Sequence, residues 1–135
     1  FPMVGSLEDI RKAKEYLNLA KEQLKERKQQ FDEQIRIGIM IEIPAIALIA
    51  DLAAEEVDFA SIGSNDLTQY LSAADRMNPE VAAYYKSDST AMLRLLGFVF
   101  REFSKREKEI SVCGEMAGNP ETAQLLWDWE RESCL

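Results

Sequence analysis

Three places in this 135-residue chain set polar, reactive residues directly after short apolar runs. Glu42 follows Gly38-Ile39-Met40-Ile41. Gly63-Ser64-Asn65-Asp66 follows Val57 to Ile62. Cys113-Gly114-Glu115 follows Ile110-Ser111-Val112. A carboxylate among apolar neighbours is costly to bury unless it is paired. Glu42 therefore either caps a neighbouring helix, pairs with a Lys or Arg, or holds a metal ion. Asp66 in Ser64-Asn65-Asp66-Leu67 fits a helix N-cap, and equally a second metal ligand. Two carboxylates on successive strand ends suit Mg²⁺, which keeps substrate and water oxygens in its shell. Zinc fits less well, because its usual thiolate and imidazole ligands are not clustered here.

Asn65 and the backbone amides of Gly63, Ser64 and Asp66 are donors suited to a phosphate or carboxylate at a helix N-terminus. An ordinary turn explains them too. Arg76 presents a fork for an anion, or forms a surface salt bridge with Asp75 or Glu80. Cys113 closes a strand and reads either as small packing material or as a proton donor held in its thiol form. Cys134 has no such context. The chain contains no histidine, so chemistry within it falls to carboxylates, amides, thiols, Arg, Lys and the backbone.

The elements that position these residues alternate between strand and helix. Phe1 to Val4 is an apolar stub. Ser6 and Asp9 form a capping box, and Ile10, Ala13, Leu17, Ala20 and Leu24 mark one face of a helix over about 6–30. Residues 35–42 read as a strand and Pro44 opens a helix. Residues 57–62 form the next strand, 63–66 a turn, and a helix starts at Leu67. Asn78-Pro79 breaks a mixed stretch containing a short helical turn. A helix then runs over 90–107, with a strand over 110–113 and a loop over 114–119. Asn119 and Pro120 open a last helix. Such alternation implies an α/β fold with a parallel sheet. The carboxyl ends of its strands gather ligands, and the three polar segments all fall there. Three strands and a stub are too few to close a barrel of eight.

The net charge of −8 argues against a nucleic-acid surface. No apolar run approaches the roughly 18 residues of a membrane span, and no secretory signal is visible. A cytoplasmic setting with reduced thiols is the expectation.

Taken together, the segments are far more specific. Gly38-Ile39-Met40-Ile41-Glu42-Ile43-Pro44-Ala45 resembles the metal-binding strand of phosphoenolpyruvate (PEP)-utilising enzymes. Ser61-Ile62-Gly63-Ser64-Asn65-Asp66-Leu67-Thr68-Gln69-Tyr70 resembles their signature loop. Cys113-Gly114-Glu115-Met116-Ala117-Gly118 resembles their cysteine loop. Phe1-Pro2-Met3 and Ala74-Asp75-Arg76 match flanking pieces. The group includes enzyme I of the bacterial sugar phosphotransferase system, pyruvate phosphate dikinase and PEP synthase. The cysteine loop and Gln69-Tyr70 look most like enzyme I.

The resemblance implies a partial (β/α)₈ TIM barrel, with residues 1–135 as one fragment. It runs to about Leu126 and leaves 127–135 as a divergent tail. It also implies Mg²⁺ on Glu42 and Asp66. Gly63, Ser64, Asn65, Asp66 and Arg76 would contact PEP, and Cys113 would protonate the enolate as pyruvate forms. The phosphoryl group would pass to a histidine on a separate domain, then to a small phosphocarrier protein. An open part-barrel exposes strand edges, so association, as a homodimer, is expected. The fragment alone is expected to be inactive. Earlier arginine-bearing strands and a closing strand, present in the family, are absent from this sequence.

Overall fold

The computed structural model describes residues 1–118. The helix expected at Asn119 and the tail lie outside the described residues. Three strands, β1 (Gly38–Ile41), β2 (Phe59–Gly63) and β3 (Glu109–Cys113), form a parallel sheet in the order β1-β2-β3. The register pairs Ile41 with Ile62 and Gly63 with Cys113. The three carboxyl ends therefore lie side by side.

Side chains alternate across a strand, and the two faces differ accordingly. Ile39, Ile41, Ala60 and Ile62 are buried, with Ile110 and Val112 packed beside them. The opposite face carries Met40, Ser61 and Ser111 and stays partly open, with Ser111 exposed. The helices are α1 (Leu7–Glu26), α2 (Pro44–Leu48), α3 (Ala50–Glu56), α4 (Ser64–Ser72) and α5 (Thr90–Ser104). The core gathers α5's Met92, Leu96, Val99 and Phe103 with Ile46, Ala50, Ala53 and Leu67, all fully buried. The expected spacing of α5 is thus met, although the helix stops three residues earlier than expected.

The remaining boundaries differ for local reasons. β1 starts at Gly38, and just below it Ile37 and Asp58 pair differently: the Asp58 N–H donates to the Ile37 carbonyl at 2.8 Å, but its side chain replaces the backbone acceptor. The Asp58 carboxylate accepts the Ile37 N–H at 2.7 Å, and Ile35 is left exposed. The helix after Pro44 breaks at Ile49, whose N–H turns back to Ile46 at 3.2 Å. The break lets Ile46 and Ala47 of α2 and Ala50, Ala53 and Ala54 of α3 all reach zero exposure.

In α1, the Ser6 side chain accepts the Asp9 N–H as the capping box requires. The Asp9 carboxylate reaches Gly5 rather than Ser6, at 3.0 Å. Only Ile10 of the apolar α1 face is fully buried, because the short α3 covers only part of a 20-residue helix. Phe1 lies along the free edge of β1: its nitrogen donates to the Gly38 carbonyl at 2.7 Å, and its carbonyl accepts from Met40 at 2.8 Å.

Candidate functional site at the strand ends

Glu42, just past β1, is 4% exposed. Its Oε1 accepts the Met3 N–H at 2.6 Å. Met3 adopts a left-handed φ of 54° to make that contact, a conformation disfavoured for any residue with a Cβ. Among the described residues no Lys or Arg pairs with Glu42. The second oxygen faces β2: a Cβ placed on Gly63 would stand 3.0 Å from Oε2. Glu42 therefore lies close beside Gly63, the residue that opens α4.

Helix α4 begins at Ser64, so residues 64–66 are its first turn and not a free turn. Asp66 is the third helical residue and not the N-cap. That position belongs to Gly63, which offers no side-chain cap. The opening amides of a helix have no intrahelical partner and carry the positive end of its dipole. This first turn is therefore a donor surface for an anion. Asp66 is half-buried on it, and no ion pair engages its carboxylate among the described residues.

The cysteine loop is fastened to this turn. The Ser64 hydroxyl, 1% exposed, donates to the Cys113 carbonyl at 2.6 Å. Asn65 Oδ1 accepts the Glu115 N–H at 3.1 Å, which leaves the Asn65 NH₂ to point elsewhere. Cys113 Sγ donates to the Ile62 carbonyl at 3.2 Å, which ties the side chain to the adjoining strand. Gly114 between them has φ 93°, and a Cβ there would lie 2.5 Å from Ser64 Oγ. Both the conformation and the space require glycine.

Arg76 arrives by a different route. Helix α4 ends in a left-handed residue, Ala73, with the Ala74 N–H bonded back to the Gln69 carbonyl. The Gln69 side chain then accepts the Arg76 N–H at 3.1 Å. The salt bridge weighed for Arg76 with Asp75 or Glu80 does not form, and Asp75 instead accepts the Met77 N–H. Among the described residues the Arg76 guanidinium has no carboxylate partner.

Tyr85 links the pieces. Its hydroxyl donates to the Asn65 carbonyl at 3.3 Å. Burial pushes its phenol pKa up; nearby Glu115 and Asp66 push the same way, and Arg76 opposes them. Glu115, Asp66 and Arg76 therefore all lie near enough to Tyr85 to act on its charge. Sequence reasoning missed Tyr85, Met3 and the positioning task of Gln69. Gln69, as part of the signature loop, and Met3, as part of the Phe1-Pro2-Met3 piece, carried a signal; Tyr85 carried none.

Among the described residues no three acidic or thiol side chains converge tightly enough to form a metal cage alone. A buried Glu42 with no basic partner has the charge a bound cation would balance. A cavity of about 250 Å³ lies elsewhere, lined by Thr68, Leu71, Tyr84, Lys86 and Ser89 among others. At the strand ends Arg76, Gly114 and Glu115 are exposed, whereas Glu42 and Ser64 are buried.

This arrangement belongs with proteins that bind an anionic substrate at the ends of parallel strands. The chain belongs to the PEP-utilising enzymes, as their PEP-binding domain, and that family matches residues 1–132. It is 47% identical over 126 residues to the phosphoenolpyruvate-protein phosphotransferase of Priestia megaterium, covering 93% of this chain and 22% of the relative. It is 45% identical over 126 residues to the protein of the same name from Bacillus subtilis, with 93% and 22% covered. It is also 45% identical over 125 residues to multiphosphoryl transfer protein 2 of Escherichia coli, covering 93% of this chain and 15% of the relative. The chain spans about a fifth of the length of the phosphotransferases it matches. No helix among the described residues is long and apolar enough to cross a membrane.

Proposed function

We propose that this chain is the PEP-binding unit of a phosphoenolpyruvate-protein phosphotransferase, with its site at the three strand ends. The observation that carries this reading is the convergence of Glu42, the uncapped first turn of α4 and the cysteine loop, with Arg76 beside them. In this reading residues 1–135 are one piece of a (β/α)₈ barrel. The support is a parallel sheet in sequential order whose one face is packed in the core while the face bearing Ser111 stays open.

Glu42 and Asp66 would hold Mg²⁺, which when bound would spread the charge that develops as the phosphoryl group leaves. The amides of Gly63 to Asp66 and the Asn65 NH₂ would receive the phosphoryl oxygens. Arg76 would take the carboxylate or phosphoryl oxygens with its fork. The Cys113 thiol would give its proton to the enolate carbon, and its bond to the Ile62 carbonyl would hold the sulfur at the strand end. The phosphoryl group would pass to a histidine of a separate domain, since this chain has none, and onward to a small phosphocarrier protein. The parent protein would be a cytoplasmic homodimer.

Calorimetric titration with PEP, with and without Mg²⁺, tests the reading. Binding that needs both the metal and Asp66 is the expected result. Equal binding by Asp66→Ala, or binding indifferent to Mg²⁺, overturns it.

A further inference from the structure

Ser64 was expected to contact substrate, yet its hydroxyl is already engaged within the fold. It is buried and donates to the carbonyl of Cys113, 49 residues away. Beside it, Asn65 Oδ1 holds the Glu115 N–H. Gly114 lies between these two anchors, pressed against Ser64 Oγ and Asn65 Oδ1. The cysteine loop is thus fixed at residues 113 and 115 by side chains of two consecutive residues on the facing turn. The thiol itself makes a third bond, to Ile62 on the adjoining strand.

We propose that Ser64 is a positioning residue for Cys113, its hydroxyl latching the Cys113–Glu115 loop to the turn that bears Asp66. The inference rests on the reading above for what the thiol does there. Without the hydroxyl, the Cys113 carbonyl is left without its donor in a partly buried site, a cost that favours loop opening. The neighbouring thiol then loses its fixed partner on Ile62. Threonine keeps the hydroxyl, so Ser64→Thr preserves the latch where Ser64→Ala removes it.

The test is the alkylation rate of Cys113 by iodoacetamide at fixed pH, resolved from Cys134 by peptide mass spectrometry. Ser64→Ala is expected to speed modification of Cys113 by about fivefold, the worth of one net hydrogen bond. Ser64→Thr is expected to stay within about twofold of the parent, and Cys134 to be unchanged in all forms. An unchanged Cys113 rate in a Ser64→Ala chain with native circular dichroism overturns the proposal. So does failure of Ser64→Thr to restore the parent rate. If Ser64→Ala does not fold, amide hydrogen exchange on the parent chain decides. The Glu115 N–H is expected to exchange at least about tenfold more slowly than in an unstructured peptide, and exchange at the unstructured rate overturns the latch. None of these readouts contains PEP, so failure of the latch and failure of the binding reading are separate results.

Discussion

Glu42 accepts the backbone N–H of Met3 at 2.6 Å, across 39 residues of chain. One left-handed residue thus holds a buried carboxylate that lacks a basic partner among the described residues. This arrangement separates stability from binding. Replacing a buried charge by its neutral isostere removes a desolvation cost. Glu42→Gln is expected to unfold at the same or a higher temperature than the parent in metal-free buffer, while losing any stabilisation by Mg²⁺ with PEP. A fall of several degrees in metal-free buffer would refute this account of Glu42.

Met3→Gly addresses the other partner. Glycine adopts positive φ without the Cβ clash, so relief of about 1 kcal/mol is available against the added backbone entropy of the unfolded chain. Chemical denaturation is expected to show a small net gain or no change. A loss above about 1 kcal/mol would mean that the Met3 side chain contributes more than its exposed position indicates.

Tyr85→Phe removes one hydroxyl from the junction of Asn65, Arg76 and Glu115. The fold should tolerate the loss, because the ring remains. PEP affinity is expected to fall by about three- to tenfold, the range of one hydrogen bond lost at a site. Calorimetry measures this directly. Unchanged affinity would remove Tyr85 from the site.

Acid should destabilise the chain through three carboxylates. Lys105 beside Glu102, and next Arg106, hold its pKa below the ordinary 4.5 against the opposing effect of burial. Arg11, then Lys14, do the same for Glu56, again from 4.5. The Gly5 and Ser6 neighbours lower Asp9 from 3.8. Each folded pKa lies below its unfolded value, so each contribution is fully present above about pH 5 and disappears as pH falls through the folded pKa. The urea midpoint is expected to be flat from pH 7 to about 5 and then to drop. Glu102→Gln should flatten part of that drop, and an unaltered pH profile would contradict the assignment.

Much of this was legible from the sequence. The β-branched runs marked all three strands, and the apolar spacing from Met92 to Phe103 marked α5. Both patterns reflect burial on one face, which a linear sequence records. The contents of the site were legible as residue types, but their partners were not. Asp66 looked like a cap because Ser-Asn-Asp-Leu is good capping sequence, whereas the helix starts at Ser64, three residues before the expected Leu67. Ser64 looked like a ligand-facing residue, and only the parallel register of Gly63 with Cys113 reveals what its hydroxyl meets. Tyr85 lies in a stretch without periodicity, brought to Asn65 by the 3₁₀ turn Pro79–Tyr84. Asp58, just below β1, takes the Ile37 N–H through one side-chain hydrogen bond that no propensity encodes.

The two bonds from Ser64 and Asn65 to the cysteine loop carry a thermodynamic consequence. Two loops joined in this way cannot have independent equilibria. Whatever grips the first turn of α4 more tightly when the cysteine loop is docked must, by reciprocity, favour docking by the same free energy. A perturbation confined to Gly114 would then be felt at the first turn of α4 on the far side of Ser64, and whatever that turn grips would quiet the motion of a sulfur it never touches.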